Sequence, residues 1–338
     1  MMNKKLSLFS IFVMLVLVLS ACAPAAPAAT EAPAAAATEA PAAAATEAPA
    51  AGNHTLVFIP GSASNPSQAF GFKMFQKHAA EYGFDVSMLD GKADVQEQTK
   101  AVNNAVAQGA DVIIVNPNDA AAILPALKEA RKAGVVVGNF MVTATDKDAY
   151  DFYVSVNDKL AGEVAVKGIL GLFPNGATGV EIGGQAGHQA AIDRHDGFDA
   201  AVKANPSIKV LDYQNPQAWD TVQAQAIAED MITKYGDQIQ FVFCHWDNGA
   251  TGVINALTAA GMEDVLVIGV DGNSVAFSQV ESWKNYFSIA QNAETIAMKS
   301  MEEANYVLNK DPKAQFDVIV PFDLITKETI GNFTPPEW

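Results

Sequence analysis

The chain reads as α/β, with two doubly wound parallel-sheet lobes. Three observations predict this. From residue 56 onward, short β-branched runs alternate with longer amphipathic ones. The short runs are nearly continuous in apolar residues, the pattern of strands in a parallel sheet covered on both faces. There are about ten of them, which is long for one sheet and fits two.

Two segments precede this body. Met1-Met2-Asn3-Lys4-Lys5 leads into an apolar stretch over 6–19. A basic start followed by a short apolar run is the pattern of a secretory signal peptide. The run is short of the roughly 20 apolar residues of a membrane span. It ends in Leu19-Ser20-Ala21-Cys22, which resembles a bacterial lipobox. That resemblance implies that residues 1–22 are a lipoprotein signal and that Cys22 is acylated to become the mature N-terminus. The alternative is an ordinary cleavage site with a chance cysteine. Ala23 follows, not Asp, so the inner-membrane retention signal is not evident. Residues 23–51 hold 18 Ala, 5 Pro, 3 Thr and 3 Glu, and Thr-Glu-Ala-Pro-Ala-Ala-Ala-Ala recurs from Thr30 and Thr38. With no large side chain to bury, such a segment cannot offset the entropy of ordering. Residues 23–52 are therefore expected to be a disordered tether, reaching at most about 100 Å.

In the body, strands are expected at 56–59, 84–89, 111–115, 135–138, 152–156, 179–182, 209–213, 240–244, 265–270 and 286–290. Helices are expected between most of them, among them 96–108, 120–133, 160–172, 189–205, 221–235 and 249–260. Gly83, Gly109, Gly134, Gly236 and Gly261 follow helical segments, where glycine takes the left-handed cap cheaply.

Composition narrows the function. A net charge of −17 opposes a nucleic-acid partner, which needs a Lys/Arg surface. Two cysteines cannot staple a disulfide scaffold. Ligands of doubly wound sheets bind beyond the carboxyl ends of the strands. Polar and aromatic residues follow several of those ends. They include Ser64-Asn65-Pro66, Asn116-Pro117, Trp219-Asp220, His245-Trp246-Asp247-Asn248, Asp271-Gly272-Asn273 and Gln291-Asn292.

In order and spacing these residues resemble the type I periplasmic sugar-binding proteins, the ribose-binding-like group that serves ABC transporters. The resemblance covers about 53–330. It is carried by Asn65-Pro66, Ile113-Ile114-Val115-Asn116-Pro117, Ala190 to Phe198, Ile268-Gly269-Val270-Asp271-Gly272 and Ile289-Ala290-Gln291. It implies two lobes joined by a three-strand hinge, one of 53–155 plus 292–320, the other of 156–291 plus 321–338. It also implies a non-enzymatic, surface-anchored receptor that closes on a small carbohydrate-like solute and delivers it to a permease and ATPase. The same architecture could serve a nucleoside or other partly apolar solute, or a sensor-only receptor.

The resemblance makes Asn65 a hydrogen-bonding residue, Trp219 a plate for a sugar face, Asp271 an acceptor for two vicinal hydroxyls and Gln291 a hinge-side donor and acceptor. Each has a plainer reading: Asn65 as a turn residue, Trp219 as core, Asp271 as an Asp-Gly turn. Departures from the family pattern fall at the same site. Its two aromatics are Ser67 and Gln68 here, and its Asp-Arg pair aligns with Met141 and Val142, with Asn139 and Phe140 just before. Its ligand-binding Arg aligns with Ile192, its second, usually structural Arg with Arg194, and its hinge-side Asn with Trp246. Gln68, Asn139, Met141, Ile192 and Trp246 thus join the expected ligand contacts. A pocket that trades charged groups for apolar ones suits a deoxy sugar, a glycoside or a nucleoside better than a free hexose or ribose.

Other features are set aside. His188 and His195 could share a helical face, but no His/Cys cluster accompanies them and no metal is expected. Gly183-Gly184-Gln185-Ala186-Gly187 lacks the full dinucleotide fingerprint, and no cofactor is expected. Cys244 reads as a buried small hydrophobe. No Ser sits in a nucleophile elbow, and no paired-carboxylate or Cys/His nucleophile stands out, so an enzyme is not expected.

Overall fold

The computed structural model describes residues 53–338. The expected signal peptide, Cys22 and the expected tether lie outside the described residues.

The first lobe is built from β1 (His54–Ile59), α1 (Pro66–Tyr82), β2 (Phe84–Met88), α2 (Val95–Ala107), β3 (Val112–Val115), α3 (Leu124–Lys132), β4 (Val136–Phe140) and β5 (Phe152–Ser155). The second follows as α4 (Asp158–Leu172), β6 (Thr178–Ile182), α5 (Gln189–Ala204), β7 (Lys209–Gln214), α6 (Thr221–Tyr235), β8 (Phe241–Cys244), α7 (Asp247–Ala259), β9 (Leu266–Asp271), α8 (Ser274–Ser282) and β10 (Tyr286–Ala290). The chain then runs through α9 (Ala293–Leu308), β11 (Asp317–Ile319) and β12 (Asp323–Ile325).

Two six-stranded sheets result, ordered β11-β5-β4-β3-β1-β2 and β12-β10-β9-β8-β6-β7. The first is parallel throughout; in the second only β12 runs antiparallel, against β10. The continuous apolar strands are explained by burial on both faces. In β3, Val112 and Ile114 join one core layer while Ile113 and Val115 join the other. In the second lobe, Val242 and Cys244 of β8 face one layer, and Phe241 and Phe243 the other. Cys244 is a free, buried thiol in that core.

The chain passes between lobes three times. It leaves the first sheet after β5, returns after β10 to place α9 against α1, β4 and β5, and crosses again between β11 and β12. Of the tail, Ile330 and Phe333 pack on the second lobe's core. Trp338, expected to belong to that lobe alone, stacks on Phe70 of the first with ring centroids 5.7 Å apart. Its carbonyl accepts from Ser274 N–H of the second at 2.6 Å, so the tail touches both.

Local differences from the sequence reading have local causes. The helix expected from 120 begins at Leu124, because Asp119 Oδ1 accepts from Ala121 and Ala122 N–H at 2.9 and 2.8 Å and holds a turn there. Strands β11 and β12 escaped notice because each has three residues, mostly exposed, and begins with Asp.

Candidate functional site

In both sheets the strand order reverses beside the first strand, between β1 and β3 and between β6 and β8. Such a reversal opens a crevice at the carboxyl ends. Each crevice is pinned by one buried side chain. In the first lobe Gln98 donates to Asn116 O at 2.7 Å and accepts from Asn118 N–H at 2.9 Å. In the second, His245 Nδ1 accepts from Gly184 N–H at 3.2 Å, while Nε2 faces buried Glu181 at 2.9 Å. The crevices face one another across a cavity of about 290 Å³.

The first-lobe wall comes from the start of α1 and the ends of β3 and β4. Asn65 caps α1: its Oδ1 accepts from Ser67 and Gln68 N–H at 3.1 and 3.3 Å and from Ser67 Oγ–H at 2.8 Å. The plainer reading of Asn65 is therefore present, although the residue also borders the cavity. Asn116 Oδ1 accepts from Gln68 Nε2 at 3.0 Å, and its Nδ2 donates to Phe140 O at 2.8 Å. Met141 and Val142 complete this wall, Met141 with φ +65°.

The second-lobe wall is aromatic and ionic. His188 caps α5, with Nδ1 accepting from Ala190 N–H at 3.3 Å. Its Nε2 then donates across the cleft to Asn116 Oδ1 at 3.0 Å. Burial, helped by the charge of Arg194, pushes the imidazole down to about 3, so it is neutral at physiological pH. Arg194 donates from Nε to Asp158 Oδ1 at 2.7 Å and from Nη1 to His245 O. Burial pushes Asp158 up to about 6 against the pull of Arg194.

Trp219 and Trp246 meet edge to face, centroids 5.4 Å apart at 83°. Each is seated on a glycine. A Cβ on Gly184 would lie 2.0 Å from Trp219 Cη2, and one on Gly249 2.4 Å from Trp246 Cε2. Both indoles thus occupy space that any other residue would fill.

Asp271 ends β9 at φ +126°, a conformation that typically stores about 1–3 kcal/mol in a non-glycine residue. Its Oδ1 accepts from Gln291 Nε2 at 2.9 Å, and Gln291 N–H donates to Asp271 O at 2.8 Å. Behind it, buried Asp247 accepts from Tyr286 O–H at 2.5 Å, Gly272 N–H at 2.7 Å and Ser288 O–H at 2.9 Å. Burial raises both carboxyls above the usual range, and the charge of Asp247 raises Asp271 further.

Of the expected contacts, Asn65, Gln68, Met141, Trp219, Trp246, Asp271 and Gln291 border this cavity. Asn139 and Ile192 do not. Asn139 follows Val137 by the two-residue strand period and so faces the α2/α3 layer, where it borders a separate small cavity with Ala120 and Leu124. Ile192 is 41% exposed, because α5 turns Ala190 and Arg194, four residues apart, toward the cleft and Ile192 outward. Arg194, read as the usually structural arginine, reaches the wall. His188, weighed only as a metal ligand, also belongs there. Its signal was its place at the start of a helix that follows a strand. Among the described residues no group of His, Cys, Asp and Glu is arranged to hold a metal ion. No described helix is long and apolar enough to cross a membrane.

Comparison with known proteins agrees with this architecture. A family described as a periplasmic binding protein domain matches residues 56–312. The ribose import binding protein RbsB of Escherichia coli (strain K12) is 30% identical over 274 residues, covering 81% of this chain and 91% of that protein. The ribose import binding protein RbsB of Bacillus subtilis (strain 168) is 30% identical over 256 residues, covering 76% and 82%. Among solved structures, a galactofuranose binding protein superposes with a TM-score of 0.77 at 24% identity, covering 82% of this chain and 96% of that one.

Proposed function

Given that this chain belongs to the periplasmic binding protein family, whose members bind and hand over transport substrates and are not enzymes, we propose that it captures a small neutral carbohydrate-like solute in the cleft and presents it to an ABC permease. The observation that carries this reading is that one monosaccharide-sized cavity is lined by both the hydrogen-bonded Asp271–Gln291 pair and the Trp219 indole. A carboxyl group, protonated or ionised, can exchange hydrogen bonds with sugar hydroxyls, and an indole face covers the C–H face of a ring. Ribose is the solute named for the relatives above. The apolar Met141, Val142 and Trp246 around this cavity favour a solute with fewer hydroxyls. The two indoles also favour a nucleoside as second reading.

Export and anchoring belong to the same proposal. The family is exported, and the Leu19-Ser20-Ala21-Cys22 signature supports acylation at Cys22, with residues 23–52 spacing the receptor from the membrane. Metabolic labelling with a palmitate analogue tests the anchor: label should enter the wild type and be absent from Cys22→Ser. A thermal-shift panel of neutral sugars and nucleosides tests the solute, since a ligand of the native state raises stability by RT ln(1 + [L]/Kd). A shift with a neutral sugar is expected. Shifts confined to charged solutes would contradict the reading.

A further inference from the structure

We propose that Arg194 is a solute-binding residue: its Nη2 donates to one hydroxyl of the bound sugar, and that hydroxyl passes its own hydrogen to Asp271. This rests on the carbohydrate reading above and adds to it a contact residue and the chemical group that the residue selects.

The guanidinium is held on three sides. Nε donates to Asp158 Oδ1 at 2.7 Å, Nη1 donates to His245 O, and the Trp219 ring centroid lies 5.9 Å from Cζ. Asp158 and His245 are both fully buried, so these bonds tie Arg194 to the interior of its lobe. Nη2 has no partner among the described residues, and it is not one of the fully enclosed polar atoms that lack one. Arg194 is 3% exposed and borders the cavity, so the surface left to Nη2 faces into it. The residue aligned with the family's ligand-binding arginine is Ile192, which is turned outward. Among the described residues, Arg194 is the cation that remains on the lining.

Asp271 borders the same cavity. Its Oδ1 accepts from Gln291, while Oδ2 has no partner among the described residues and is likewise not enclosed. Burial and the charge of Asp247 raise the Asp271 carboxyl, and the charge of Arg194 pulls it back, so the two groups stand within each other's field. Yet the bonds of Arg194 go to Asp158 and His245, and none goes to Asp271. Two such groups on one cavity are bridged by whatever accepts from the first and donates to the second. A guanidinium only donates, and a carboxyl oxygen accepts. A sugar hydroxyl does both; a C–H group or a ring oxygen does not. Because Arg194 is already locked in place, the solute loses little in orienting it. A hydrogen bond to a charged donor of this kind is worth about tenfold or more in affinity.

The test uses the full chain, unfolded and refolded to strip bound solute, and isothermal titration with D-ribose, D-allose, D-galactose and D-fucose. The tightest binder is then compared with each of its monodeoxy derivatives. Arg194→Lys keeps a cation for Asp158 and has no second nitrogen to reach the cavity; it is expected to bind the parent sugar about tenfold more weakly. One derivative, lacking the bridging hydroxyl, is expected to bind the wild type about tenfold more weakly than the parent does, and to bind Arg194→Lys no more weakly than that. A residue that only braced the fold would lower the affinity of every derivative alike. An unchanged constant in Arg194→Lys, or the same loss with every derivative, overturns the inference and leaves the carbohydrate reading standing. No binding by any of the four parent sugars overturns both. Should Arg194→Lys fail to fold, Arg194→Met combined with Asp158→Asn removes both buried charges together and is read in the same way.

Discussion

Asp271 does two things at once, and they pull in opposite directions. It closes a tight Asp-Gly turn at strained φ and presents a carboxyl to the cleft beside a second buried carboxyl, Asp247. Asp247 is saturated by Tyr286, Ser288 and Gly272, whereas among the described residues Asp271 receives a side-chain hydrogen bond only from Gln291. Its remaining capacity fits a hydroxylated solute. Asp271→Ala should therefore lower affinity at least tenfold, about 1.4 kcal/mol or more, in titrations with whichever sugar binds, while leaving the lobes folded; unchanged affinity would remove Asp271 from the site. The raised titration of Asp271 has a consequence for stability. An unfolded Asp titrates at about 3.9, and the folded value lies above it. The protonated side chain is thus favoured by the fold. Its stabilising contribution is complete below about pH 3.9 and is lost as pH rises through the folded value. Melting temperatures of the wild type should fall more steeply between about pH 5 and about pH 8 than those of Asp271→Asn, which has no carboxyl to ionise. Parallel curves would contradict this.

Most elements were legible because their signals are local. Continuous Val/Ile/Phe runs marked the central strands, and Gly83, Gly109, Gly134 and Gly261 all sit at positive φ after their helices. The start of α1 shows how one residue carries both a structural and a site role: Asn65 caps the helix while bordering the cavity. Asn65→Ala should cost about 1 kcal/mol of stability, as loss of a side-chain cap does, measurable by urea denaturation; no loss would mean that water replaces the cap. The site was legible where a residue follows a strand, as Asp271, Gln291 and Trp246 do. It was not legible where position depends on helix rotation or strand parity. Ile192 and Asn139 were placed in the cleft by alignment to a pattern, but the helical and strand periods turn them away. Asn116 stood out as a polar residue after a strand, but its sharing by Gln68 and His188 is a tertiary contact that the chain does not spell out.

At the scale of the molecule, the lobes meet directly as well as through any guest. Ala120 N–H donates to Gly187 O at 3.2 Å, Gln185 Nε2 to Asn118 O at 3.1 Å, His188 Nε2 to Asn116 Oδ1 at 3.0 Å, and Thr143 O–H to the Asp193 carboxylate. These contacts join the two lobes directly, and hinge opening of the cleft would break them, so they would favour the arrangement seen here over an open one. Thr143 and Asp193 stand outside the cavity lining. Thr143→Val should therefore weaken solute binding several-fold through a faster off-rate, without altering which solute is preferred, by stopped-flow tryptophan fluorescence. An unchanged off-rate would show that this contact does not bias closure. The account as a whole is tested most directly by a crystal structure with the tightest-binding sugar. It predicts density for the sugar between the lobes, with hydroxyls on Asp271 and Gln291 and one face against Trp219. Sugar bound elsewhere on the protein, with the cleft unchanged, would contradict it.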